Sequence, residues 1–390
     1  MHITTRIVPQ SQPSIGIIGG GQLGKMIAQE AKRMSLKVHI LDPDPECPAS
    51  SSADNLIVAD FRNQTAIRDL SDLVDVLTYE IELADSDVLI DLSRTKKVIH
   101  PAPETLKIIQ NKYRQKVFLQ EKNLPVPTFA LVEDADGGPN NAVLKHFPLI
   151  LKACENSYDG RGNRLIYKKE EITNLATEKS FGKWMVEEII PFRKELSVMV
   201  ARNESGQVSS FPVAENKHSE SILDTTLVPA RISKRTEGMA RDIAERTVDV
   251  LKGSGIFCVE MFLSENEEIL INEIAPRPHN SGHYSIEGCS ISQFEQHIRA
   301  ILNLPLPKPR LRSPTVMVNI LGPKEFVGEY YLDRLNELLS IDGLKLHLYG
   351  KRISKPRRKL GHVTITAASI SDAIDKSKKA KSNLRIMNKI

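Results

Sequence analysis

The chain has 390 residues, too many for one hydrophobic core, so two or three domains are expected. With 41% hydrophobic and 26% charged residues and a net charge of +4, it reads as an ordinary globular protein whose mild basic excess does not call for nucleic acid. The four cysteines, Cys47, Cys154, Cys258 and Cys289, contain no CxxC pair, which argues against a zinc site or a disulfide framework and fits a reducing cytoplasm. No apolar run nears the roughly 18 residues of a membrane span. Residues 1–13 lack the apolar core of a secretory signal and read as a flexible leader.

Residues 15–18 form a short apolar run that predicts a buried strand, followed by GGGQLG at 19–24. Met26, Ile27, Ala31 and Met34 mark one face of a helix, and residues 38–41 form a second strand that ends at Asp42. This is a βαβ unit with G-x-G-x-x-G at its first turn. The turn suits a dinucleotide, another anionic ligand, or only the strand–helix junction itself. Further strands are expected at 56–59, 74–78 and 98–100, which makes the segment to about residue 104 a small doubly wound α/β domain. Glu80 follows the fourth strand, where open parallel sheets hold their ligands; it also reads as an acidic residue favoured by a helix N-terminus.

A helix carrying Leu106, Ile109, Lys112, Tyr113 and Val117 begins near Glu104 and is broken by LPVP at 124–127. Residues 147–152 predict a strand ending in Lys152, then a polar, turn-rich loop at 155–163 and another strand at 164–167. That order suits a lid over phosphates, or an ordinary hairpin loop. The next strand is expected at 184–190 (WMVEEII) and is read as continuing to Glu195, where a carboxylate would meet ribose hydroxyls while the strand's main chain takes an adenine edge. Segments 196–200 and 209–213 alternate like paired strands, Glu215–His218 follow, and 239–251 is an amphipathic helix.

The apolar runs 257–262 and 269–271 each deliver one carboxylate, Glu260 and Glu273. Two Glu residues on adjacent apolar strands suit a hard cation, because an isolated buried carboxylate is very costly. Arg277 adds a planar donor for a carboxylate, bicarbonate or phosphate. Chance Glu residues on a solvated hairpin are the bland alternative. After a helix at 293–302, LPLPKPR at 304–310 reads as a Pro-rich hinge, and strands are expected near 315–320, 344–349 and 362–366. The loop at 349–362 is rich in Lys and Arg and suits either a phosphate monoester or bulk solvent.

GGGQLGKM, YEIE, SYDGRG, VEEIIPFRKELS, PVAENKH, NEIAPRPHNSGHYSIEGCSISQFEQH and YGK-x6-RKLGH, in this order, resemble the N5-carboxyaminoimidazole ribonucleotide synthetase family of the ATP-grasp superfamily. NEIAPRPHNSGH followed by SQFEQH is the specific part; GGGQLG alone is not. The resemblance implies an N-terminal doubly wound parallel sheet over 14–104 and an ATP-grasp domain of two α+β halves over 105–303, with a lid at about 125–187. A small C-terminal β-rich domain over 304–390 completes it. It also implies a cytoplasmic homodimer that uses ATP, Mg2+ and bicarbonate to carboxylate the exocyclic amine of aminoimidazole ribonucleotide through carboxyphosphate. Lys112, Lys152, Glu187, Glu188, Ile189, Ile190, Glu195 and His218 would then hold ATP, and Glu260 and Glu273 the magnesium. Tyr158, Asp159, Arg161, Arg277 and His279 would form the reacting centre. Gly20, Gln22, Leu23, Glu80, Lys351 and Arg358 would hold the ribonucleotide. Where the family has two glycines before the lid's Tyr-Asp pair, this chain has Asn156 and Ser157. A formate-using ligase of the same superfamily and a nicotinamide-dependent dehydrogenase are the rival readings.

Overall fold

The computed structural model describes residues 13–132, 147–155, 162–172 and 183–389. At the N-terminus, β1 (Ser14–Ile18), α1 (Gln22–Arg33), β2 (Lys37–Asp42), β3 (Asn55–Val58), α2 (Gln64–Leu73), β4 (Val76–Tyr79), α3 (Ser86–Arg94) and β5 (Val98–Ile99) alternate. They build a parallel sheet of order β3-β2-β1-β4-β5. The expected doubly wound architecture is present, with Ile15, Ile17, Ile18, Val38 and Ile40 fully buried between the helical layers. Asn63 and Asp85 start α2 and α3 by accepting backbone N–H bonds at the first turn.

The helix expected from Glu104 through Val117 is two helices, α4 (Pro103–Ile109) and α5 (Lys112–Glu121). Asn111 causes the break: its backbone is extended and its side chain accepts from the Arg114 N–H, so it caps a new helix. The Lys112 N–H then donates to the Cys154 carbonyl at 2.8 Å, which docks the start of α5 on the next sheet. That antiparallel sheet contains β6 (Phe129–Leu131), β7 (Leu149–Ala153), β8 (Asn163–Ile166) and β9 (Trp184–Glu188), in the order β6-β9-β7-β8.

Strand β9 does not continue to Glu195. It ends at Glu188, and Glu195 lies within β10 (Phe192–Arg202), which belongs to a different sheet. Pro191 cannot donate to a ladder, so the chain leaves one sheet and joins another there. The second sheet runs through β11 (Val208–Ser210), β12 (Ala214–Ser219), β13 (Ile222–Val228), β14 (Gly255–Ser264) and β15 (Ile269–Ala275), with α6 (Lys234–Leu251) packed on it. Helix α7 (Gln293–Ile301) turns back to the N-terminal domain and adds Phe294, Ile298 and Ile301 to the cluster around Ile27 and Ile40.

The C-terminal region does not hang on a hinge. Strands β16 (Thr315–Leu321), β18 (Leu344–Leu348) and β20 (Lys359–Thr366) extend the same sheet, whose order is β15-β14-β10-β12-β13-β16-β20-β18. The Pro-rich crossover before β16 is pinned: Leu306 is buried, and its N–H and C=O both bond Gln207. The C-terminal region also contains β17 (Gly328–Asp333), β19 (Ile353–Ser354) and β21 (Arg385–Asn388), a separate three-stranded sheet, and α8 (Ile370–Asn383), which packs on β16 and β20 through Ala373 and Ala380.

Candidate active site

A cleft of about 1090 Å³ opens between the N-terminal sheet, the strands β14 and β15 and the basic loop before β20. Gly21, Gln22, Leu23, Glu80, Lys112, Glu260, Glu273, Arg277, His279, Lys351 and Arg358 all line it.

Its floor is the β14–β15 pair. Glu260 lies directly across from Glu273, while the next pair is Met261 with Ile271, so Asn272 is an extra residue on β15. Such a bulge re-aims side chains, and here it leaves both carboxylates at the cleft. Strand β15 is an edge strand covered by α5. The Ile274 N–H donates to Gln115 at 3.0 Å, and Lys116 donates to the Ile271 carbonyl at 2.9 Å. Lys112 reaches Glu273 at 2.5 Å. Its positive charge holds the Glu273 carboxyl well below the usual range despite burial. Glu260 shifts the other way: burial, and then the Glu273 charge, push its carboxyl up. The two carboxylates repel each other in a low-dielectric site, the arrangement a divalent cation relieves.

Lys152, Glu187, Glu188, Ile189, Ile190, Glu195 and His218 sit on neighbouring strands or just past their ends rather than in the cleft wall. Lys152 donates to Glu187 at 2.8 Å and to the Asn272 side chain at 3.3 Å, which ties β7 and β9 to the bulge. Burial raises the Glu187 carboxyl, but Lys116 and Lys152 together outweigh it and hold it low. Glu188 accepts from the Thr128 hydroxyl at 2.9 Å. Glu195 and the His218 ring meet at 2.5 Å, and both feel the Glu260 charge. Lys116 was not singled out in the sequence. Its spacing of four from Lys112 puts both ammonium groups on one helix face, and that signal was there to be read.

The loop after β15 carries Arg277, His279 and Asn280. Arg277 pairs with Glu82 at 2.8 Å across the cleft. Among the described residues, none satisfies the buried Arg277 Nε or either polar atom of the Asn280 side chain. His279 Nε2 lies 3.1 Å from Glu260, and burial, reinforced by Arg277, holds the imidazole neutral.

The glycine turn differs from a pyrophosphate cradle. The Gly20 N–H donates to Asp42 at 2.7 Å, and the Gly21 and Gly24 N–H groups donate to Glu80 at 2.7 and 2.8 Å. The chain's own carboxylates thus occupy the helix N-terminus that a dinucleotide would need. Gly20 is not among the residues that line the cleft, and a Cβ there would stand 2.4 Å from Cys47 Sγ. Burial pushes the Glu80 carboxyl up to about 6 against its two N–H bonds. In the basic loop, Lys351 and Arg358 are joined at the cleft by Lys355, Arg357 and Lys359. Arg358 donates to the Ile353 carbonyl at 2.8 Å, which stiffens the loop. Tyr158, Asp159 and Arg161, with Asn156 and Ser157, lie outside the described residues.

Three family models match the chain: a ribonucleotide synthetase preATP-grasp domain over residues 13–110, an ATP-grasp domain over 117–294, and a phosphoribosylaminoimidazole carboxylase C-terminal domain over 315–376. The N5-carboxyaminoimidazole ribonucleotide synthase of Bacillus subtilis is 41% identical over 350 residues, 90% of each chain. The crystal structure of the synthetase from Thermotoga maritima superposes with a TM-score of 0.88 at 44% identity, covering 97% of this chain and all of that one. An Aspergillus clavatus N5-carboxyaminoimidazole synthase in complex with ADP and 5-aminoimidazole ribonucleotide superposes at 0.83 with 32% identity, covering 95% of this chain and 98% of its own. Three domain matches in the order of the three structural regions, and full-length likeness in both sequence and backbone, place this chain in the N5-carboxyaminoimidazole ribonucleotide synthase family.

Proposed function

We propose that the chain carboxylates the exocyclic amine of 5-aminoimidazole ribonucleotide with ATP and bicarbonate, forming N5-carboxyaminoimidazole ribonucleotide, ADP and phosphate in purine biosynthesis. One observation carries this reading: Glu260, Glu273, Arg277 and the cations Lys351, Lys355, Arg357, Arg358 and Lys359 face a single cleft. Bicarbonate is a poor electrophile because attack must expel hydroxide. Phosphorylation by ATP converts that oxygen into phosphate, a good leaving group, and the amine then attacks the carboxyl carbon.

The residues divide this work. Lys112 and Lys152 hold ATP phosphates, Glu187 through Ile190 the adenine, and Glu195 with His218 the ribose side. Magnesium fits the all-oxygen, mutually repelling Glu260/Glu273 pair, and when bound it would neutralise charge on the phosphates. Arg277 and Asn280 offer bicarbonate a buried site in which the Arg277 Nε and the Asn280 amide have no partner among the described residues. His279, held neutral, is in the form a general base needs; Asp159 is the second candidate. Gln22, Leu23, Glu80, Lys351 and Arg358 hold the ribonucleotide, with Lys351 and Arg358 on its phosphate. The loop at 155–163 supplies the lid that keeps water from carboxyphosphate.

The test is phosphate release and incorporation of labelled bicarbonate, with purified protein, Mg2+, ATP and the ribonucleotide. Label should reach an acid-labile carbamate only when all components are present. Incorporation of formate in its place would establish the rival ligase reading. The homodimer and cytoplasmic location implied by the family belong to the same proposal, and sedimentation equilibrium reads the first. Among the described residues, no helix is long and apolar enough to cross a membrane.

A further inference from the structure

One group of side chains at the cleft has the chemistry of a softer ion. Donor atoms of Cys258, Glu260 and His279 all lie within 4.8 Å of one another, the one such trio among the described residues. Cys258 and Glu260 are two apart on β14 and so share a face of the strand. His279 arrives from the loop after β15, with Nε2 already 3.1 Å from Glu260. Donors around a tetrahedral ion with bonds of about 2.0–2.3 Å stand roughly 3.3–3.8 Å apart, so the trio needs to draw in by at most about 1.5 Å.

Ser281 supports two of the three donors. Its Oγ is 2.9 Å from His279 Nδ1 and 3.6 Å from Cys258 Sγ. Asn216 donates to Ser197 at 2.9 Å, and Ser197 donates to Ser281 at 3.0 Å. Ser281 Oγ accepts from Ser197 and faces both His279 Nδ1 and Cys258 Sγ, while the Ser281 backbone N–H donates to His279 Nδ1 at 3.4 Å. These contacts fix the ring with Nε2 towards Glu260, the role outer partners play in metal sites.

We infer that Cys258, Glu260 and His279 form a site for a thiophilic divalent cation of the zinc class, with a fourth position open to the cleft. A thiolate, a carboxylate and a neutral imidazole balance two positive charges. The thiol proton passes to water as the sulfur–metal bond forms. Glu260 and His279 line the cleft and give the ion its path in, while the fully buried Cys258 closes the back. The scattered cysteines gave no spacing signal because the trio joins one strand, β14, to the loop after β15. Glu260 is shared with the hard-ion pair, so the two sites exclude each other. On the function proposed above, a zinc-class ion is therefore an inhibitor that competes with magnesium.

The test uses Co2+ as a spectroscopic probe on the full-length chain. One equivalent should produce tetrahedral visible bands and a thiolate-to-cobalt charge-transfer band, and Zn2+ should displace both. Cys258→Ser should remove the charge-transfer band and weaken zinc binding at least about tenfold, while phosphate release with Mg2+ stays unchanged. Cys154→Ser, at another cleft cysteine, should leave the band intact. If Cys258→Ser fails to fold by circular dichroism, Cys258→Ala serves. Absence of a thiolate band in the parent chain, or equal zinc affinity in the Cys258 variant, overturns the site. This readout is independent of carboxylation: cobalt bound through Cys258 in a chain that fixes no bicarbonate sinks the proposed activity alone.

Discussion

The Lys112 ammonium lies 2.5 Å from the Glu273 carboxylate, joining the first turn of α5 to the edge strand of the large sheet across 161 residues of chain. On the proposed function the lysine belongs to an ATP phosphate and the glutamate to magnesium, so binding the nucleotide must part them. Lys112→Gln should therefore split two constants. The KM for ATP should rise about tenfold through loss of a charge-assisted bond, while the magnesium requirement should fall because Glu273 loses its competitor. Initial rates over an ATP–Mg2+ grid measure both; no change in either would detach Lys112 from the nucleotide.

Glu260→Gln and Glu273→Gln should each cut bicarbonate-dependent phosphate release about a hundredfold or more and leave far-ultraviolet circular dichroism unchanged. Each change removes a charged oxygen ligand from a pair that sits directly across two strands. Normal turnover at low millimolar Mg2+ in either variant would refute the assignment.

For the basic loop, Lys351→Ala and Arg358→Ala should raise the KM for the ribonucleotide by about one to two decades, since each charge-assisted bond is worth roughly 1.5–3 kcal/mol. The KM for ATP should hardly move. An effect confined to ATP would place this loop at the other substrate.

Lys116 gives the pH prediction. Burial lowers its ammonium to about 8, against the support of Glu187. An unfolded lysine titrates near 10.4, so between about pH 8 and 10 the unfolded chain holds the extra proton and stability rises with pH. The cost of keeping this group charged is full below pH 8 and amounts to about 3 kcal/mol. Chemical denaturation from pH 7 to 10 should show that upward slope in the parent chain and its loss in Lys116→Met.

Local pattern carried much of the fold into view. The run at 15–18, the face marked by Met26, Ile27 and Ala31, and the apolar strands bearing Glu260 and Glu273 are signals that neighbouring residues write together. What escaped depends on partners distant in the chain or on a single side chain. Asn111 splits a helix because its amide competes for one N–H. Lys116 matters because Glu187 is brought to 3.2 Å from it by another sheet. Glu80 reads as a ligand contact at a strand end, and only the packing of the first and fourth βα turns shows its two oxygens engaged by Gly21 and Gly24 while it lines the cleft. Within the site, residue types were legible, whereas the bulge at Asn272 that points both carboxylates the same way was not.

The unbroken ladder from β13 to β16 has a practical consequence for anyone who cuts the chain. Thr225–Val228 pair with Thr315–Val318, and Leu227 shares a cluster with Val316, Val318, Leu360 and Val363. A fragment ending at residue 303 would present β13 as a bare apolar edge, and the complementary fragment would present β16 in the same way. Both are templates for sticking to other chains. Neither half should survive expression as a monodisperse species, but co-expressed halves should find each other through this seam and restore a single soluble particle on size exclusion.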